Sequence, residues 1–388
     1  MWLELMSGIA AGAALVTLPG SWSLARWTWA ARRPVTPPTL APSNAPILLL
    51  VPAHNESASL PQTLPRLLAQ AQVDGNCRVL VIADHCSDNT AEIARAFGAM
   101  VLERNEGARG KGYALAAAFA LLPDVPWYLI VDADSRLDAN FLAVLRCKMA
   151  ENPDGIQARY EPDCASDDPN AALRHWALHA FNVIRPRGRA ALGESVGLLG
   201  NGFALSNATL QRVPYQAGSI VEDLEYQLSL AAAHCKLAWL EDVAVYGEMP
   251  QGENARVQRQ RWEGGRLAMI RRNVLPLMIR ICRGETHLWP ILQELTLLPL
   301  SQHMLLLLLA CSAGGWPQAL GLLGLLVLMF HTGLALFELP RALRSSALLC
   351  APRYVVWKIM QLPSIFRGSR SGALWQRSVR HIEQEKTS

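Results

Sequence analysis

The chain has 388 residues, 51% of them hydrophobic and 18% charged, with a formal net charge of +4. That length exceeds one typical domain, and the apolar share argues against a wholly soluble protein, so a membrane portion is expected. The basic residues gather near apolar segments and form no aromatic-interleaved stripe, which excludes nucleic acid as the expected partner and favours membrane lipids. Eight cysteines are scattered without a CxxC pair or other metal-ligand spacing and read as reduced thiols of a cytoplasmic setting.

Residues 1–33 are expected to form an N-terminal transmembrane anchor. Leu3 to Trp29 is largely apolar, is interrupted at Pro19 and Gly20, and is followed by Arg32 and Arg33. Charge placed after the apolar run reverses the order of a cleavable signal peptide, and the positive-inside rule then puts the bulk of the chain on the cytoplasmic face of an inner membrane. Residues 34–46 hold five prolines and read as a semi-rigid linker. From 47 to 264, short β-rich runs alternate with helical stretches, the strands being Ile47 to Val51, Arg78 to Ile82, Met100 to Glu103 and Trp127 to Val131. This is the pattern of an α/β domain with a mostly parallel, Rossmann-like sheet. One of its helices has legible ends, with Asp88 and Asn89 to cap it, Glu92 in its first turn and Gly98 to stop it.

After the α/β region the character changes. Residues 265–285 mix Leu, Met and Ile with Arg266, Arg271, Arg272, Arg280 and Arg283, which predicts an amphipathic interfacial helix. Within 286–340, Leu288 to Cys311 and Ala319 to Leu339 each reach roughly twenty apolar residues, enough to cross a bilayer. The break at Gly314 to Pro317 makes them a transmembrane hairpin. In 341–388, Arg353 and Lys358 fall inside the apolar run Ala347 to Phe366, so an interfacial helix and a cytoplasmic tail are expected there.

In open α/β sheets ligands bind beyond the carboxyl ends of the strands. All four predicted strands run into polar loops: Pro52-Ala53-His54-Asn55-Glu56, Asp84-His85-Cys86-Ser87-Asp88, Arg104 to Gly112 with Arg109 and Lys111 among glycines, and Asp132-Ala133-Asp134-Ser135. In an extended segment the carboxylates of Asp132 and Asp134 point to one side, so two hard oxygen donors can share Mg²⁺ or Mn²⁺ and leave positions for a diphosphate. The plainer alternative is that the pair caps the next helix. A Walker loop is excluded, because Asn105 stands at the first glycine of GxxxxGK[ST] and Gly112 follows Lys111, and no GxGxxG follows the first strand. Lys111 reads equally as a donor contact and as a solvated loop lysine. Val221-Glu222-Asp223 opens a helical pattern in which acidic residues ordinarily serve the helix dipole. Gln258-Arg259-Gln260-Arg261-Trp262 pairs a bidentate-capable arginine with an aromatic ring that either stacks on a sugar or anchors the chain at an interface.

Taken in order, PAHNE (52–56), DHCSDNT (84–90), DADS (132–135), ED (222–223) and QRQRW (258–262) resemble the family 2 glycosyltransferases over about residues 47–265. The likeness is to the membrane branch that includes cellulose, hyaluronan and poly-N-acetylglucosamine synthases and ceramide glucosyltransferases. It implies a GT-A fold in which Pro52, Ala53, Glu56, Asp84, Arg109 and Lys111 bind the donor nucleotide, and Asp132 and Asp134 meet its diphosphate and the metal, Mg²⁺ or Mn²⁺. It implies Asp223 as catalytic base of an inverting transfer. Glu222, Gln258, Arg261 and Trp262 would serve the diphosphate and acceptor, and Asn201 and Gly202 would line the acceptor pocket. The implied donor is a UDP-sugar carrying a hexose or N-acetylhexosamine, and the acceptor a lipid-linked or polysaccharide glycan. A processive exopolysaccharide synthase with secretion or assembly subunits, and a non-catalytic nucleotide-sugar-binding subunit, are the alternatives. The chain departs from the family pattern at Ala83, where many members carry a further Asp, and at His85 and Cys86, in the usual Gly-Ser region. His175 and His179 read as packing or acceptor-groove residues, not as a zinc site.

Overall fold

The computed structural model describes residues 2–34, 40–163, 171–248 and 252–352, except for the side chains of 2, 3 and 252–261. The described chain divides into two compact units, one comprising 35–163 and 195–268, the other 1–34, 164–194 and 269 onward.

The first unit is built on eight strands: β1 (Ile47–Ala53), β2 (Cys77–Asp84), β3 (Met100–Arg104), β4 (Trp127–Ile130), β5 (Ser135–Leu137), β6 (Gly155–Pro162), β7 (Phe203–Ser206) and β8 (Leu237–Gly247). They form one sheet in the order β3-β2-β1-β4-β7-β6-β8-β5. The first four are parallel, which requires helical crossovers, and the sequence supplies them as α2 (Leu60–Asp74), α3 (Thr90–Ala96) and α4 (Lys111–Leu121). β7 returns antiparallel beside β4 and starts the mixed half of the sheet. Strand β1 is wholly apolar and nearly solvent-free from Ile47 to Val51, as a central parallel strand covered on both faces must be. An ion pair fixes its entry: Arg146 of α5 (Phe141–Met149) binds Asp74 with two nitrogens, each at 2.5 Å, and donates to the carbonyls of Ser43 and Ala45.

The expected strand positions agree with the observed ones. So does the helix over 90–96, although its start is held differently: Asn89 makes no capping bond, and the Asp88 carboxylate takes the Thr90 N–H at 3.1 Å. One correction bears on the chemistry. Asp132 to Asp134 is not extended but a turn, closed by Ser135 N–H donating to the Asp132 carbonyl at 3.0 Å, because the chain folds back at once into β5.

The helical unit contains α1 (Trp2–Ala30), α6 (Ala171–His179), a π turn over Ala180–Ile184, α7 (Arg185–Ala191), α11 (Trp289–Thr296), α12 (Leu300–Ala310) and α13 (Trp316–Glu338). Residues 171–194, which fall within the domain expected over 47–264, pack in this unit. Their packing explains it. A Cβ on Gly188 would lie 2.0 Å from the Trp27 carbonyl, so α7 rests backbone to backbone on α1. Glu194 accepts from both Arg26 and the Trp27 indole, Arg189 pairs with Glu294, and Glu338 accepts from His179 at 3.0 Å and Arg187 at 2.7 Å. His179 Nε2 thus meets a carboxylate of its own unit.

Among the described residues, two helices are long and apolar enough to cross a membrane, Glu4–Ala30 and Trp316–Glu338. The first of these is unbroken despite Pro19. The span expected at Leu288 to Cys311 is not one helix: Thr286–Thr296 and Leu300–Ala310 meet at 85°. Pro299 stands extended at the break, where its ring and missing N–H prevent the helix from running through. The basic segment expected as a separate interfacial helix from 265 is part of one long helix, α10 (Gly252–Cys282). Residues 341–352 are helical. The remainder of the expected C-terminal helix and tail, and residues 35–39 of the linker, lie outside the described residues.

In the sheet unit, α8 (Asn207–Arg212) follows β7, and α9 (Glu222–Ala232) follows a loop clamped in place: the Glu225 carboxylate accepts the N–H groups of Gly218 and Ser219 at 3.1 and 2.9 Å. The loop presses on α4 at Gly112, where a Cβ would sit 2.1 Å from the Ala217 carbonyl. Gly112→Ala is therefore expected to cost about 1–3 kcal/mol of stability through overpacking. A thermal melt reads this, and an unshifted midpoint would show that helix and loop do not meet so closely.

Candidate active site

The first two loops are stitched together. Asn55 and His85 both adopt left-handed backbone, φ 55° and 50°. Both residue types are among those that tolerate this conformation best after glycine. The Asn55 amide accepts the Ser87 N–H at 2.7 Å and donates to its hydroxyl at 3.0 Å. The Glu56 N–H donates to the Thr90 hydroxyl at 2.8 Å, and the Glu56 carboxyl is nearly buried. Pro52 and Ala53 are the last residues of β1, in register with Ile82 and Ala83.

Asp84, 5% exposed, ties in the third loop: its carboxylate accepts from Arg104, from His85 Nδ1 at 3.0 Å and from the Gly110 N–H at 3.0 Å. His54 donates from Nδ1 to the Asp84 carbonyl at 2.7 Å, so its Nε2 is left as the acceptor that meets Arg109. The two basic residues of the third loop thus part ways, Arg109 to the first loop and Lys111 to the fourth.

Lys111 opens α4, and its ammonium bridges the Asp132 carboxylate and the Gly200 carbonyl, the latter at 2.5 Å. Gly200 has φ +77°, and a Cβ there would stand 3.2 Å from Asp223 Oδ2. Asn201 Oδ1 accepts the Asp132 N–H at 3.1 Å, and its Nδ2 donates to the Ser135 hydroxyl at 2.8 Å. With Asn201 only 1% exposed, its amide is spent on aiming Asp132 and does not line an open pocket. Gly202, with its N–H on the Ile130 carbonyl and Val245 against it, likewise shapes the sheet edge.

Around this bridge the electrostatics are severe. Burial, and then the neighbouring Asp223, push the Glu222 carboxyl from 4.5 up to about 7, with Lys111 pulling the other way. Asp223 is also raised, by burial first, against the Leu224 N–H and Lys111. Burial alone would lower the Lys111 ammonium, but Asp132, Glu222 and Asp223 outweigh it and raise it. Arg266, which the sequence did not single out, lies within electrostatic reach of Asp223; burial draws its guanidinium down to about 10, still protonated at neutral pH. Its only signal was position, four residues past Trp262 on the same helix face. Trp262 is 39% exposed, while Gln258 and Arg261 lie on α10 with side chains outside the described residues. Asp134, partly exposed, accepts from the Ser135 hydroxyl at 3.2 Å.

Asp132 and Asp134 offer the hard oxygen donors that Mg²⁺ or Mn²⁺ takes, on a turn open to solvent, so the residues fit such an ion. A parallel half-sheet whose first four loops gather at one carboxyl edge, with a DxD turn and an acidic helix start, is the arrangement of a GT-A fold. The family model "Glycosyl transferase family 2" matches residues 49–210 of the chain. An uncharacterized glycosyltransferase of Mycobacterium tuberculosis is 30% identical over 116 residues, 30% of this chain and 49% of its own, and one from Mycobacterium bovis matches equally. The chain thus spans about half the length of these curated relatives. The mannosyltransferase PcManGT from Pyrobaculum calidifontis, solved with GDP-Man and Mn²⁺, shares the fold at a TM-score of 0.53 and 19% identity, over 92% of this chain and 98% of that one.

The Glu222–Asp223 pair holds protons more tightly folded than unfolded. Its stabilising contribution is therefore full below about 4.5 and is lost as pH rises through about 7. Glu222→Gln is expected to flatten this decline and to melt about 2–4 °C above the parent at pH 8, with little difference at pH 5. A parallel fall in both proteins would remove Glu222 as its source.

Proposed function

We propose that the chain is an inverting, metal-dependent glycosyltransferase that moves a hexose or N-acetylhexosamine from a nucleoside-diphosphate sugar to a lipid-linked or glycan acceptor at the cytoplasmic face of a membrane. The observation that carries this reading is the meeting of Lys111, Asp132, Glu222 and Asp223 at the edge where the loops of β1 to β4 gather.

The loops after β1 and β2, with Glu56, Asp84 and Arg109, take the nucleotide, and Lys111 and the Asp132–Asp134 turn face the diphosphate. Asp132 and Asp134 would hold a divalent ion, which would supply positive charge against the departing diphosphate. Asp223 accepts the proton of the acceptor hydroxyl as that oxygen forms its bond to the anomeric carbon. The bond from that carbon to the diphosphate oxygen breaks on the opposite face, and the nucleotide leaves with the electron pair. Lys111 opposes the rise that burial imposes on the Asp223 carboxyl, and Arg266 lies within electrostatic reach of it. Trp262 offers an exposed ring for a sugar face. A UDP-sugar is the first donor to test, and a GDP-sugar the second. Two membrane helices, or three counting the bent pair, among the described residues are few for one chain to line a channel, which favours a single transfer over export of a polymer.

The test is nucleotide release by the purified chain in detergent with Mn²⁺ and panels of donors and acceptors. Asp223→Asn is expected to lower turnover by about 10²- to 10⁴-fold with donor binding retained. Full turnover in that variant would overturn the base assignment. Nucleotide binding by the parent without transfer to any acceptor would favour the non-catalytic subunit.

A further inference from the structure

We infer that Lys111 is a built-in counter-cation of the metal site: its ammonium holds the Asp132 carboxylate while no donor is bound, and moves to the donor's diphosphate when metal and nucleotide enter together. This rests on the function proposed above and deepens it.

The geometry supports the inference at each end of the side chain. Lys111 begins α4, so its backbone is fixed, and its four-carbon stem spans to two groups on different elements, the Asp132 carboxylate and the Gly200 carbonyl. Both receivers are rigid. Asp132 is aimed by Asn201, whose own amide is locked onto Ser135, and Gly200 is held by a left-handed turn that a side chain would disfavour. The bridge is also open: the Lys111 and Asp132 side chains are 22% and 31% exposed, so solutes reach the pair without unfolding anything.

An ammonium on Asp132 occupies a ligand oxygen that a divalent ion needs, and so opposes binding of metal alone. A diphosphate removes the obstacle, because it offers Lys111 another anionic partner within reach of the same stem. Metal and donor then bind with positive coupling, and the coupling must be reciprocal. The chemical benefit is order: the cation is held only when there is a diphosphate to act on.

The experiment titrates Mn²⁺ into the full chain in detergent and reads free Mn²⁺ by electron paramagnetic resonance, with and without UDP or GDP. The wild-type protein is expected to bind Mn²⁺ weakly alone and much more tightly with nucleotide. Lys111→Met and Lys111→Gln are each expected to bind nucleotide-free Mn²⁺ about tenfold more tightly than wild type, since an opposite charge at contact distance is removed from the ligand, and to show a smaller gain on adding nucleotide. Unchanged nucleotide-free affinity in either folded variant would overturn the inference and leave the proposed function standing. So would a wild-type protein that already binds Mn²⁺ alone as tightly as with nucleotide. Absence of Mn²⁺ binding with either nucleotide, in wild type and variants alike, would instead remove the metal-dependent reading itself.

Discussion

Three carboxylates crowd the carboxyl edge of the sheet, and the charge of Lys111 makes that crowding bearable. Asp132, Glu222 and Asp223 all act on its ammonium, and burial raises the two carboxyls of the pair above their ordinary range. Like charges in a partly dry site repel strongly, so such a cluster persists only with a cation among them or a proton shared between them. Much of the local architecture follows from placing that one ammonium. α4 begins at Lys111, Gly200 turns left-handed to present its carbonyl, and Gly112 yields its side chain so that the loop before α9 can bring Glu222 and Asp223 close.

The parallel half of the fold was legible because buried central strands are written as uninterrupted apolar runs, and the loops that end them are polar for a reason the sheet geometry supplies. The DxD turn was harder. Same-side carboxylates follow from extended backbone, yet the chain must reverse at Ala133 to start β5, a demand set by the pairing of β5 with β8 more than a hundred residues later. Lys111 carried equal claims as a solvated residue, since nothing local reveals that a glycine carbonyl 89 positions on will face it. Arg266 was read as one of a row of interfacial arginines, and only the continuity of α10 with the preceding motif brings it near Asp223.

The helical unit shows the same limit. Long apolar runs announced two of its helices, but Pro299 splits the span expected between them, and residues 171–194 join it through contacts no periodicity records. Gly188 against the Trp27 carbonyl and the acidic partners of Arg26, Arg187 and Arg189 tie residues 171–194 to the other helices of their unit.

The central claim, one nucleotide-sugar site assembled by the loops of β1 to β4 with Asp223 facing the reacting carbon, is tested most directly by a structure of the full chain with a nucleoside diphosphate sugar and Mn²⁺. The account predicts the diphosphate beside Lys111 and the Asp132–Asp134 turn, with the anomeric carbon on the side of Asp223. A nucleotide bound away from these loops, or with its sugar turned from Asp223, would contradict it.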